Sequence, residues 1–263
     1  PSSSSSGYPP PTDAIKPPPA TRALDTARPA IDPKNFACSR PKPSHGASRA
    51  PCDRIGTEVH RLSCRVFYHD HCFDGACSAS LFTRFHRQRV GTTSDFSYAG
   101  LMHRAGSLFD ESAFLPTGDG GENAIVDFKY SASPSVTWWF DHHQSAFLTP
   151  EDQRDFLAWQ ERADEAAARG EKVRGGKFYD PAYISCTSLI ADIGRERFGF
   201  DPAPFADLIH WANIVDGAKY ESAQAAVEMA APAMKLTMVI ESVPGDTFVP
   251  RIIPLLTAMP LQQ

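Results

Sequence analysis

Nowhere in this chain of 263 residues is there an apolar run long enough to cross a bilayer, which takes about 20 residues. No membrane partner is therefore expected. Cysteine is sparse, and the spacings of Cys38, Cys52, Cys64, Cys72, Cys77 and Cys186 match neither a zinc finger nor a small secreted disulfide framework. That usage points to a reducing, intracellular setting, in the first instance the cytoplasm, with organelle targeting left open. Positive charge is not in excess either: 26 Lys and Arg stand against 31 Asp and Glu, a net charge of −5, and nothing forces a surface for duplex nucleic acid. The sequence has no initiator Met and no apolar signal core, so it is expected to be an internal stretch of a longer protein.

Proline and serine, by contrast, crowd the first part of the chain, with Ser2-Ser3-Ser4-Ser5-Ser6 and Pro17-Pro18-Pro19 and no apolar period that could build a core. Residues 1–60 are expected to be a disordered Ser/Pro-rich basic tail. Beyond it, short apolar runs alternate with helical patterns. Strands are expected near 65–69, 96–99, 124–128 and 136–140, and helices near 76–85, 151–168, 185–198, 205–215 and 223–240, the last interrupted by Pro232. A hairpin-like turn is expected at 170–177. The alternation predicts an α/β fold, a doubly wound, Rossmann-like parallel sheet.

Chemistry-bearing residues gather at the ends of these elements. The run Val136-Thr137-Trp138-Trp139-Phe140 delivers Asp141-His142-His143. The first strand runs into His69-Asp70-His71-Cys72-Phe73-Asp74-Gly75, the third ends in Asp127, and an apolar helix ends in Asp216-Gly217. In a parallel α/β sheet the carboxyl ends of the strands converge on the ligand site, so residues distant in sequence become neighbours there. Carboxylates and imidazoles suit Mn, Mg, Fe or Zn, and a carboxylate can bridge two ions. Alternation along an extended segment would put Asp70, Cys72 and Asp74 on one side and His69 and His71 on the other. This favours Asp70 over His69 as a ligand if strand geometry persists into the turn. Cys72 reads equally as a ligand or as a small thiol packed under the turn, and Cys77 as a core thiol.

In order and spacing, Asp70-x-Cys72-x-Asp74-Gly75, Asp127, Asp141-His142-His143 and Asp216 resemble the four motifs of the DHH phosphoesterase superfamily. That superfamily includes RecJ-like exonucleases, short-oligonucleotide nucleases, phosphatases of adenosine bisphosphate, cyclic-dinucleotide phosphodiesterases and manganese pyrophosphatases. The resemblance covers residues 65–243 and implies a phosphoesterase domain over 61–243. It implies that Asp74, Asp127, His142 and Asp216 hold one divalent ion, Asp127 bridging to a second held by Asp70, with His69 or Cys72 as further ligands. Manganese leads among the ions implied, with Mg, Co, Zn or Fe as alternatives; a thiol at Cys72 would favour Zn or Fe. His143 would contact the substrate phosphate and Asp141 would support the metal-bearing imidazole.

The implied function is hydrolysis of a phosphodiester, phosphomonoester or phosphoanhydride by a metal-activated water, with Asp127, His142 and His143 at the catalytic centre. A small nucleotide or short oligonucleotide is the expected substrate. A non-catalytic module that binds a nucleotide or a partner is the alternative. Residues 244–263 are expected to be a linker toward a second, substrate-selecting domain beyond this sequence. Two further features are open. Arg84, His86, Arg87 and Arg89 could form a local basic groove or a solvated helix end. Ser185, Thr187 and Ser188 could contact phosphate or cap their helix.

Overall fold

The computed structural model describes residues 63–91, 95–118, 120–171, 173–243, 247–258 and 261. The tail expected over residues 1–60 lies outside them, as do Cys38 and Cys52. Five strands alternate with helices: β1 (Ser63–His69), α1 (Phe73–Arg89), β2 (Asp95–Leu101), β3 (Glu122–Val126), β4 (Trp138–Asp141), α2 (Pro150–Ala168), β5 (Gly176–Tyr179), α3 (Cys186–Phe198), α4 (Ala206–Asp216), α5 (Ala223–Glu228), α6 (Pro232–Ser242) and α7 (Val249–Leu256). The strands form one all-parallel sheet in the order β2-β1-β3-β4-β5. This is the doubly wound α/β sheet expected from the alternation of elements. The order reverses between β1 and β3, and a crevice opens at such a point outside the carboxyl ends of the strands.

Side chains two apart on a strand share a face, and the sequence supplies apolar residues for both faces. Val66, Tyr68, Ala124, Val126, Trp138 and Phe140 enter one core with α1, α3, α4, α6 and α7. Phe67, Ile125 and Trp139 enter a second with Phe128, Tyr130 and Phe156. Helix α1 is buried around most of its circumference, so its polar positions are small and internally bonded: Ser80 donates to the Ile253 carbonyl (2.6 Å) and Thr83 to that of Ala79 (2.8 Å). Helix α2 opens with a reciprocal capping box, Thr149 with Asp152. No described helix is long and apolar enough to cross a membrane, and the four described cysteines are free thiols.

The structure departs from the sequence reading in several places. In place of the turn expected at 170–177, Gly176 and Lys177 open β5, a fifth parallel strand paired with β4. Residues 249–256, expected as linker, form α7, whose Val249, Ile253 and Leu256 are buried in the main core. The apolar spacing i, i+4, i+7 explains why. Pro232 starts α6 rather than kinking a longer helix, as its missing N–H allows. Of the two readings left open for the basic stretch, the solvated helix end is the one seen for Arg87 and Arg89, which are exposed in the last turn of α1, while His86 is buried against Glu122 and Arg84 donates to Thr257 (3.0 Å).

One buried cation gives the fold a pH signature. The Lys177 ammonium donates to the Tyr130 hydroxyl (2.8 Å), which donates to Asp155 (2.6 Å). Burial lowers Lys177 from 10.5 to about 8. Below pH 8 the folded chain carries the cost of a buried ammonium. Between about pH 8 and 10.5 only the unfolded chain holds the proton, so this group's contribution rises with pH, by roughly 2–3 kcal/mol. Denaturant unfolding of the wild type and Lys177→Met from pH 7.5 to 10.5 should diverge by that amount; parallel profiles would count against it.

Candidate metal centre

The crevice between β1 and β3 is furnished by the ends of four elements. β1 stops at His69, and α1 begins at Phe73 with Cys72 as its N-cap and Asp74 in its first turn. Asp127 follows β3 with φ +58, a left-handed conformation that short polar side chains tolerate better than others. Its N–H is held by the Phe140 carbonyl (2.9 Å). His142 and His143 follow β4, and Asp216 is the last residue of α4.

These residues meet. The Nε2 of His142 lies 3.4 Å from Asp127 Oδ1, 3.4 Å from Asp216 Oδ2 and 3.8 Å from Asp74 Oδ2. The other oxygen of Asp127 faces Nδ1 of His69 at 3.5 Å. His69, Cys72 and Asp127 form one group with metal-ligand spacing; Asp74, His142 and Asp216 form another; Asp127, His142 and His143 form a third that overlaps both. Asp127 thus sits between two sets of donors with one oxygen toward each.

The surroundings fix each donor. Nδ1 of His142 lies 3.1 Å from the Tyr183 carbonyl oxygen, which only accepts, so Nδ1 carries a proton and Nε2 is directed at the carboxylates. Asp74 accepts from the backbone amides of Cys186 (2.7 Å) and Thr187 (3.1 Å) and from the Thr187 hydroxyl (2.6 Å). The amides that open α3, considered for a substrate phosphate, are therefore taken by Asp74, while Ser185 caps the helix through Ser188 (3.1 Å). Oδ1 of Asp141 accepts from the amides of His142 (2.8 Å) and His143 (3.2 Å) and from Nδ1 of His143 (2.7 Å). The imidazole that Asp141 supports is thus that of His143, not His142, because the turn after β4 brings the later ring back over the carboxylate.

Asp70 stands apart from these groups. It joins none of the groups with metal-ligand spacing among the described residues. Strand geometry ends at His69, and Asp70 and His71 form a turn in which His71 takes φ +52, so the alternation that favoured Asp70 breaks one residue too early. The Asp70 carboxylate accepts from the His71 amide (2.9 Å), and His71 donates through Nδ1 to the Glu241 carbonyl (3.2 Å). His103, after β2, had no motif to mark it. Its ring stacks on Phe128 (4.8 Å between centroids) and meets the edge of His69 (5.2 Å). Tyr183 escaped notice because it acts through its backbone carbonyl.

Electrostatically the cluster is short of positive charge. Both Asp127 oxygens and His142 Nε2 are buried without a hydrogen-bond partner, as is Nδ1 of His69. Burial, then the charges of Asp127 and Asp216, push Asp74 well above the ordinary carboxylate range; burial and Asp127 also raise Asp216. For Asp127 burial also opposes ionisation, but His142 and His69 outweigh it and hold the carboxyl low. Burial resists charge on His142, yet Asp127 and Asp74 raise it to about 9. Burial and the carboxylates of Asp127 and Asp74 push the Cys72 thiol up, so its thiolate needs a nearby cation. Unpaired acceptors packed this closely are costly, and a divalent cation satisfies them together. The donor set fits a metal. No protein-family model matches the chain, and no curated protein matches it.

Proposed function

We propose that the chain is a divalent-metal phosphohydrolase of the DHH phosphoesterase type. The observation that carries this reading is the convergence of Asp74, Asp127 and Asp216 on His142 Nε2, where both Asp127 oxygens and that nitrogen are buried without a hydrogen-bond partner. Asp74, Asp127, His142 and Asp216 would hold one ion, and this oxygen-rich set suits manganese or another hard divalent ion. His69, Cys72 and Asp127 would hold a second; an imidazole and a thiol make that set softer, toward zinc, iron or cobalt. Ions so placed supply Lewis acidity and a water of lowered pKa, the combination used in phosphoester hydrolysis.

The protein's own groups do the positioning. The α3 amides fix Asp74, and the Tyr183 carbonyl fixes the imidazole of His142. Asp141 pins Nδ1 of His143, whose ring is partly exposed, leaving Nε2 for a phosphoryl oxygen. The hydrogen bond that His143 donates to Asp141 raises the His143 pKa, so this ring is suited to donate. The small nucleotide or short oligonucleotide substrate follows from the absence of excess positive charge and from the resemblance in the four motifs.

The test is metal analysis of the purified protein followed by a turnover screen with Mn, Co, Mg and Zn. The substrates are a dinucleotide, a cyclic dinucleotide, adenosine bisphosphate and pyrophosphate. Two ions per chain and metal-dependent release of phosphate or nucleotide are expected, both lost in His142→Ala. Metal-replete protein without turnover on any of the four would favour a binding module; absence of stoichiometric metal would overturn the reading altogether.

A further inference from the structure

Beside the metal centre, at the carboxyl ends of β1 and β2, lies a cavity of about 500 Å³ lined by Asp70, Gly100, Met102, His103 and Leu108, with Arg104 and Asp110 also on its wall. We propose that it receives the nucleoside portion of a nucleoside phosphate, with His103 as the stacking surface and Asp70 as a hydrogen-bond acceptor. This rests on the phosphohydrolase reading for the phosphate end of the molecule. The cavity and the centre are contiguous: His103 lines the one and touches His69 of the other, and Phe128, on which His103 stacks, directly follows Asp127.

Three features define the occupant. The first is a flat surface: Phe128 covers one face of the His103 ring, at 26° between planes, while the residue as a whole is exposed. An exposed ring backed by another on one face is a platform for a base, since every base has a π face. The second is the seat of Asp70. A Cβ on Gly100 would lie 2.6 Å from both Cγ and Oδ2 of Asp70, so only glycine lets this carboxylate rest against β2. Its Oδ1 accepts from the His71 amide, whereas Oδ2 is 3.8 Å from Nε2 of His71, beyond a hydrogen bond. Oδ2 retains capacity for an amino, imino or hydroxyl donor.

The third is the sign of charge. Asp70 and Asp110 outnumber Arg104, whose Nε is engaged by the Ser107 carbonyl (2.8 Å). Such a wall repels further phosphate groups and accepts an uncharged group rich in donors. Nucleobase edges and ribose hydroxyls meet that description; a pyrophosphate or polyphosphate chain does not.

The experiment has two arms. In metal-free protein, saturation-transfer NMR with adenosine, cytidine, guanosine and uridine should mark the base protons of at least one nucleoside. The signal should fall in both His103→Ala and Gly100→Ala, the latter acting by displacing Asp70. In metal-loaded protein, calorimetry with the matching nucleoside monophosphate and with inorganic phosphate should show the nucleotide binding about tenfold tighter, the scale of one stacked base. That margin should shrink in both variants. No saturation of any of the four nucleosides, equal affinity for nucleotide and phosphate, or a margin that survives both substitutions would overturn the proposal. Failure to load metal would overturn the phosphohydrolase reading instead, and the nucleoside arm would still judge the cavity.

Discussion

Asp127→Asn is expected to abolish stoichiometric metal binding and to lower turnover by at least about 100-fold, the scale seen when a single preorganised charge-stabilising group is lost from an active site. The substitution is chosen to spare the fold. Asn tolerates the left-handed backbone at φ +58 nearly as well as Asp does, and it retains the amide that bonds to Phe140. What it removes is the one carboxylate whose two oxygens face His142 and His69 separately. In chelated protein the variant should melt close to the wild type, because it also relieves repulsion from Asp74 and Asp216. With metal at 100 times its Kd the wild type gains about 2.7 kcal/mol, which corresponds to a rise of about 5–10 °C in Tm for a chain of this size; the variant should gain none. A variant that carries full metal content would remove Asp127 from the bridging position.

The architecture and most of this cluster were legible in the sequence because they depend on local patterns. Apolar runs that end abruptly in Asp, His or Cys mark strand ends, and a parallel sheet gathers strand ends. The misread features depend on a single backbone torsion or on long-range packing. Whether His69 or Asp70 turns toward Asp127 is decided at His71, whose left-handed φ has no signal as strong as glycine would give. Asp141 bonds the ring of His143 rather than that of His142, and the partner of His142 is a backbone carbonyl, that of Tyr183, which no side chain advertises. β5 is four residues containing Gly176 and Lys177, a poor strand by composition, and forms because β4 offers an unpaired edge. Helix α7 was legible in principle, since Val249, Ile253 and Leu256 lie on one face, but Pro254 within it disguises the pattern. His103 sits on a loop outside every motif, and only the fold brings it to His69.

The same dependence of the site on backbone packing gives the second large expected effect. Gly75→Ala should destabilise the protein by about 3 kcal/mol or more, the upper range for overpacking, and weaken metal binding with it. Gly75 lies in the first turn of α1, where alanine would ordinarily be preferred by about 1 kcal/mol, so any loss has to be steric. A Cβ there would lie 2.2 Å from the carbonyl oxygen of His69 and 3.0 Å from its Cβ. The obstacle is backbone, and it cannot rotate away. His69 is held in register with Leu101 of β2, so relief must come from α1 shifting off the end of β1. That shift would carry Cys72 and Asp74 away from His69 and Asp127, opening both donor sets together. Gly118→Ala is the control, since an added methyl there meets nothing within 4 Å. Denaturant unfolding in chelator measures the packing term, and metal titration of the still-folded fraction measures the site. Loss of stability with undiminished metal affinity would show that the turn can yield without moving its ligands. Wild-type values for both would mean that α1 is not seated on β1 as closely as the 2.2 Å approach requires.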